Sequence, residues 1–205
     1  MNFDQHLAAL AACRLCPNVL GAPVTGAVAG ARVMLVGQAP GPREMEQGRP
    51  FAFTAGRQMF AWFARLGVSE EEFRESVHMC AVIRCFPGRD PKVGGDRVPS
   101  PEEIANCGAH LDAEIVLPKP RLVIAVGTLA AQVLVGDAQL KAVVGRVHRV
   151  KRAGRAFDVV VLPHPSGRST WTNKPENAAL LQRSLELIGA HAAWRRTFSR
   201  RRPRA

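Results

Sequence analysis

No run of apolar residues in these 205 is long enough to cross a bilayer, which sets aside a membrane-spanning role. The opening stretch MNFDQHLAALAACRLC has no basic segment ahead of its apolar residues and carries Asp4 early. It therefore does not read as a secretory signal, and a cytoplasmic, thiol-reducing home is expected. No internal repeat is present. Acid is scarce: 17 Asp and Glu stand against 28 Lys and Arg, a net charge of +11. An excess of that size calls for a polyanionic partner or a dispersed basic surface. Residues 194–205 hold six arginines and no acid, so six of the eleven net charges sit at the end and five on the body. Either location adds salt-dependent, sequence-blind affinity for phosphates.

At 47% hydrophobic and 22% charged, the composition is that of an ordinary globular protein. The length suits one domain, read as 1–192, followed by a basic tail over 193–205. Four runs rich in β-branched and aliphatic residues, 32–37, 77–83, 121–127 and 157–163, have the continuous apolar character of buried parallel strands. Helical segments are expected between them at about 54–66, 100–117, 128–135 and 175–191, with Ser100 and Pro101 forming an N-cap and first turn. The alternation predicts an α/β fold: a three-layer α/β/α sandwich around a central, mainly parallel four-stranded sheet. Ligands of such sheets gather at the carboxyl ends of the strands. The turns there are GQAPG at 37–41, RCFP at 84–87, Gly127 with Thr128, and HPSG at 164–167. The stretch 88–99, rich in Gly, Pro and charge, is expected as a long surface loop at the same rim.

Cys13 and Cys16 form a CxxC, Cys85 follows the second strand, Cys107 lies in a helix, and Cys80 is a strand residue. A redox CxxC belongs after a strand, and none precedes Cys13. Four thiolates from one pair and two distant singles suit zinc or an iron–sulfur cluster, and buried unligated cysteines remain the alternative.

Taken in order, Cys13-x-x-Cys16, GQAPG at 37–41, QGRPF at 47–51 with Ala55 and Gly56, VIRCFP at 82–87, PEE at 101–103 through Cys107, GTLAA at 127–131 and HPS at 164–166 resemble the family-four, iron–sulfur uracil-DNA glycosylases over roughly residues 5–190. The resemblance implies a structural [4Fe-4S] cluster on Cys13, Cys16, Cys85 and Cys107. It implies that Phe51 stacks on a flipped uracil, that His164 donates a hydrogen bond to O2 of the leaving base, and that Ser166, Gly167 and Arg168 meet DNA. The 37–41 loop (Gly37, Gln38, Ala39, Pro40 and Gly41) and Ala81 would line the base pocket. Flipping the nucleotide costs a few kcal/mol of unstacking, and a donor aimed at the developing anion follows the logic of an oxyanion hole.

Three departures from the family pattern stand out. Family members usually carry Glu where this chain has Gln38, and an amide orients water by hydrogen bonds without acting as a base. The asparagine that reads the uracil edge falls on Ala81, which has no polar side chain; Cys80 or another loop is left to substitute. The leucine that relatives push into the vacated stack is Arg168 here, suited to stacking, filling the gap or binding phosphate. Relatives that trap their substrate covalently carry a histidine in the basic loop after the second strand, and the 88–99 loop has none, so turnover is expected. No lysine sits in the site turns for a Schiff base, which disfavours lyase action. His78, His110 and His148 read as structural, and Glu44 as a surface carboxylate, with a carboxylate near the site as the alternative.

The function expected is a monofunctional uracil-DNA glycosylase, a monomer acting on single- or double-stranded uracil-containing DNA without a membrane partner. The alternative is a damaged-DNA-binding protein with little or no turnover.

Overall fold

In the computed structural model, which describes residues 1–92, 94–166 and 170–199, the apolar runs form one sheet. Its strands are β1 (Val33–Gly37), β2 (Val77–Ala81), β3 (Leu122–Val126), β4 (Val147–Arg152) and β5 (Arg155–Leu162), in the order β2-β1-β3-β5-β4. The β1, β2 and β3 strands are buried at every position, as expected of a parallel sheet covered on both faces. The expected four strands become five: β4 runs antiparallel to β5, joined through Ala153 and Gly154, whose φ values of 48° and 73° suit a two-residue primed turn. The sequence of β4, VHRVKR, alternates exposed with half-buried positions and so lacks the continuous apolar run that marks its neighbours.

The helices are α1 (Phe3–Ala11), α2 (Pro42–Gln47), α3 (Thr54–Ala64), α4 (Glu70–Ser76), α5 (Pro101–Val116), α6 (Thr128–Val135), α7 (Leu140–Val143), α8 (Pro175–Ala190) and α9 (Ala192–Phe198). Strand alternation divides them into two layers. Val33, Leu35, Val77, Met79 and Ile124 pack on α3, α4, α8 and α9, while Met34, Val36, Val123, Val159 and Val161 pack on α5, α6 and α7. No described helix is long and apolar enough to cross a membrane.

The expected tail boundary moves. Trp194 is 3% exposed and lies against Phe63 and Phe73, with ring centroids 5.5 and 6.2 Å away. Residues 193–198 therefore belong to the folded domain, because an indole buried against two phenylalanines outweighs the arginines around it. Residues 200–205 lie outside the described residues.

The chain leaves β1 for β2 on one side and later sets β3 on the other. The carboxyl ends of β1 and β3 thus flank a topological switch point, where open α/β sheets hold ligands.

A charged knot fastens one edge of the molecule. The Glu114 carboxylate and Arg84 guanidinium, both fully buried, form an ion pair, and Arg84 also donates to the Ala81 carbonyl. His6 and His78 each place Nε2 3.5 Å from a Glu114 oxygen. Burial alone would raise the Glu114 pKa, but the Arg84 charge and the two imidazoles outweigh it and hold the carboxyl well below its ordinary range. Glu114→Gln leaves a buried guanidinium without its counter-charge and is expected to lower unfolding free energy by about 3–5 kcal/mol, measured by urea denaturation at neutral pH. The folded pKa lies below the unfolded one, so the carboxylate's contribution is present above about pH 4.3 and is lost as acid is added. A wild-type minus variant difference that grows on acidification would contradict this.

Candidate active site and cysteine cavity

Two of the four strand-end turns, 37–41 and the one opening at His164, meet with the end of β2 and the Phe51 turn around one cavity of about 120 Å³. Its walls include Gly37, Gln38, Ala39, Pro40, Gly41, Phe51, Ala81 and His164, all eight residues assigned to a base pocket from the sequence. The continuation of β2 holds the first turn in place, since the Val82 and Ile83 N–H groups donate to the carbonyls of Gly37 and Gln38 at 2.9 and 3.2 Å. Ala81 is buried in the wall, and its carbonyl is taken by Arg84. Cys80 also borders the cavity, and burial raises its thiol well above the ordinary range.

Phe51 adopts φ +51°, a left-handed conformation that costs a non-glycine residue about 1–3 kcal/mol. Three contacts hold it there. Arg74 donates to the carbonyls of Pro50 and Phe51 at 2.8 and 2.9 Å. Glu44 accepts from Gly41 N–H at 3.1 Å and from Ala52 N–H at 2.9 Å, tying the Phe51 turn to the 37–41 loop. Gly56 lets α3 approach so closely that an added Cβ would fall 1.9 Å from the Phe51 carbonyl oxygen. The ring then lies over Gly37, where a Cβ would sit 3.2 Å from Phe51 Cζ. Glu44 is therefore a half-buried fastening rather than a surface carboxylate. The signal for it was local: a Glu three residues after the N-cap of a helix opened by Pro42.

His164 stands at the mouth of the cavity with part of its ring open to solvent. Ser166 N–H donates to Nδ1 at 3.2 Å, which places the neutral ring's proton on Nε2. Desolvation by the surrounding walls lowers its pKa and the Glu44 charge works against that shift. The imidazole is thus a neutral Nε2–H donor at physiological pH. His164 also borders two outer grooves. One carries Thr54, Arg57, Gln58, Ser166 and Asn173; the other carries Arg89, Gly94, Gly95, Asp96 and Ser166. Gly167 and Arg168 lie outside the described residues.

The four motif cysteines meet elsewhere. Cys13, Cys16, Cys85 and Cys107 line one cavity of about 300 Å³, together with Arg84 and Asn106. Burial, followed by the charges of Cys107, Cys13 and Cys16, pushes the Cys85 thiol up to about 11. Four sulfurs that repel one another as thiolates are a donor set for a cation. Burial raises the Cys107 thiol and the Arg84 charge works against that shift, while the Asn106 amide points at Cys16 Sγ from 3.7 Å. A second group, His78, Cys80 and Glu114, also has its donor atoms within 4.8 Å of one another. The Arg84 guanidinium already neutralises Glu114 there, so that group is part of the charged knot and not an ion site. His110 packs on His6, and His148 Nε2 lies 2.8 Å from the Val143 carbonyl oxygen, so both are structural as expected.

A family model described as the uracil DNA glycosylase superfamily matches residues 23–188. Among curated proteins the chain is 29% identical over 175 residues to a type-4 uracil-DNA glycosylase of Archaeoglobus fulgidus, covering 80% of this chain and 82% of that one. It is 33% identical over 144 residues to a type-4 uracil-DNA glycosylase of Pyrobaculum aerophilum, covering 65% and 66%. It is 27% identical over 172 residues to a type-5 uracil-DNA glycosylase of Thermus thermophilus, covering 69% and 75%.

The state of His164 is directly measurable. Long-range ¹H–¹⁵N spectra should show the Nε2–H tautomer and a titration midpoint below the free-histidine value of about 6.5. Glu44→Gln, which removes the charge that opposes the shift, should move the midpoint lower still; a midpoint above the free value would contradict the desolvation account.

Proposed function

Because the chain belongs to the uracil DNA glycosylase superfamily, we propose that it excises uracil from DNA by hydrolysing the N-glycosidic bond and leaving an abasic site. The observation that carries this reading is the convergence of the Phe51 ring, the 37–41 loop and a neutral His164 donor on one small cavity that opens onto two grooves. The flipped base would stack on Phe51. Its electron-rich O2 would receive the His164 Nε2 proton donor as the bond breaks, stabilising the departing anion without a full proton transfer. Gln38 would orient water. The outer grooves, with Arg57, Arg89 and Ser166, would take the strand on either side, in single- or double-stranded DNA. We place the protein in the cytoplasm, as a monomer on DNA.

The cysteine cavity supports a structural [4Fe-4S] cluster on Cys13, Cys16, Cys85 and Cys107. No three of these thiols lie within 4.8 Å of one another, since the one group that does so among the described residues is His78, Cys80 and Glu114. The likeness to type-4 uracil-DNA glycosylases favours the cluster over a tetrahedral zinc on the same four thiols. When bound, such a cluster would cross-link the end of α1, the loop after β2 and α5, in a cavity that shares no lining residue with the base cavity. Purified protein should be brown with broad visible absorption, and Cys85→Ala should lose both colour and thermal stability; a colourless, zinc-loaded protein would overturn the assignment.

Gln38 and Ala81 favour the second reading, a damage-binding protein with little turnover, because neither supplies the ionisable or edge-reading group expected at its position. Release of free uracil over many turnovers from a labelled single-uracil oligonucleotide decides between them. His164→Ala should slow release by about 10²–10³-fold, whereas tight binding with no base released by the wild type would establish the binding module.

A further inference from the structure

Hydrolysis at an anomeric carbon calls for a group that takes a proton from water and opposes the positive charge growing on the sugar. Gln38 has neither capacity. The base cavity and the groove beside it share five lining residues: Gln38, Ala39, Pro40, Asp96 and His164. With the base inside and its sugar and phosphates in the groove, the bond to be broken lies at that shared rim. Two carboxylates border the base cavity. Glu44 holds a backbone N–H on each oxygen and borders the base cavity alone. Asp96 borders both spaces, and its Oδ2 would lie 3.2 Å from a Cβ placed on Gly41, against the same loop that carries Gln38.

The segment that presents Asp96 is built to hold it. Asp96 bridges Arg89 in antiparallel fashion, and Arg97 N–H donates to the Gly88 carbonyl at 3.0 Å. The neighbouring Arg97 guanidinium forks onto both oxygens of Glu103 in α5 and reaches the Asn18 carbonyl at 3.2 Å. A surface loop anchored at its base in this way brings a fixed carboxylate to the rim.

Resting on the glycosylase reading, we propose that Asp96 is the catalytic carboxylate of this site. As the water oxygen bonds to C1′, the C1′–N1 bond breaks and its electron pair leaves on uracil, whose O2 faces His164. The water's proton passes to the Asp96 carboxylate, whose charge also opposes the cationic sugar.

The test is single-turnover cleavage of a single-uracil oligonucleotide with protein in excess, alongside binding of the same DNA by anisotropy. Asp96→Asn keeps the shape of the side chain and removes its charge and its capacity to accept a proton. It should slow cleavage by about 100-fold or more while binding as tightly as wild type or more so, because a negative charge has left a phosphate-facing rim. Asp96→Glu, or Gln38→Glu added to Asp96→Asn, should recover part of the rate by returning a carboxylate to the rim. An unchanged rate, a lost rate matched by lost binding, or recovery by neither Glu variant would overturn the assignment. Wild-type protein that binds the oligonucleotide and frees no uracil would bring down the glycosylase reading and this assignment together, a pattern distinct from an active wild type beside an equally active Asp96→Asn.

Discussion

The buried pair of Arg84 and Glu114 is the constraint on which the rest of the structure depends. Removing two charges from water costs several kcal/mol per ion, recovered only when geometry and further hydrogen bonds are good. Here the geometry joins segments that have no covalent reason to meet. Arg84 follows β2 and immediately precedes Cys85; Glu114 lies two turns beyond Cys107 on α5; His6 brings α1, whose end leads to Cys13. The three segments that lead to the four thiols therefore meet around the Glu114 carboxylate, two through its ion pair with Arg84 and the third through His6. The same guanidinium fixes the Ala81 carbonyl in the base cavity, so the cysteine cavity and the site share a support.

A second set of fastenings works on the opposite wall. Phe51 needs a left-handed backbone for its ring to lie over Gly37, and no side-chain preference supplies that conformation. Arg74, Glu44 and the missing Cβ of Gly56 supply it from three different helices. Their function is carried through Phe51 and the 37–41 loop, which explains why groups well removed from any reacting atom are built so tightly.

Much of this was legible in the sequence because it rests on local pattern. The four parallel strands, the Ser100 cap and the convergence of turns at the strand ends follow from apolar runs and capping chemistry. The fifth strand was not legible, since VHRVKR has no buried face to advertise it. Nor was the burial of Trp194, which depends on Phe63 and Phe73 meeting it from distant segments. The residues expected to line a base pocket border one cavity, while the fastening made by Glu44 was only half legible: its contact to Gly41 is a local helix cap, and its second partner, Ala52, comes from a separate turn. Asp96 carried no motif at all; its position follows from how the 88–99 loop folds back on itself.

A carboxylate at a rim that faces DNA carries an electrostatic penalty, and magnitudes show why it is tolerable. Two unit charges 4 Å apart in water repel by about 1 kcal/mol, and salt screens this further. A positioned proton acceptor contributes about 10²–10⁴ in rate, or roughly 3–5 kcal/mol of barrier. With a net charge of +11 the chain attracts the strand as a whole, so the local repulsion is small against the long-range attraction. Gln38 fits the same logic: an amide orients water without adding a further negative charge beside Asp96 and Glu44, which already approach the same side of Gly41.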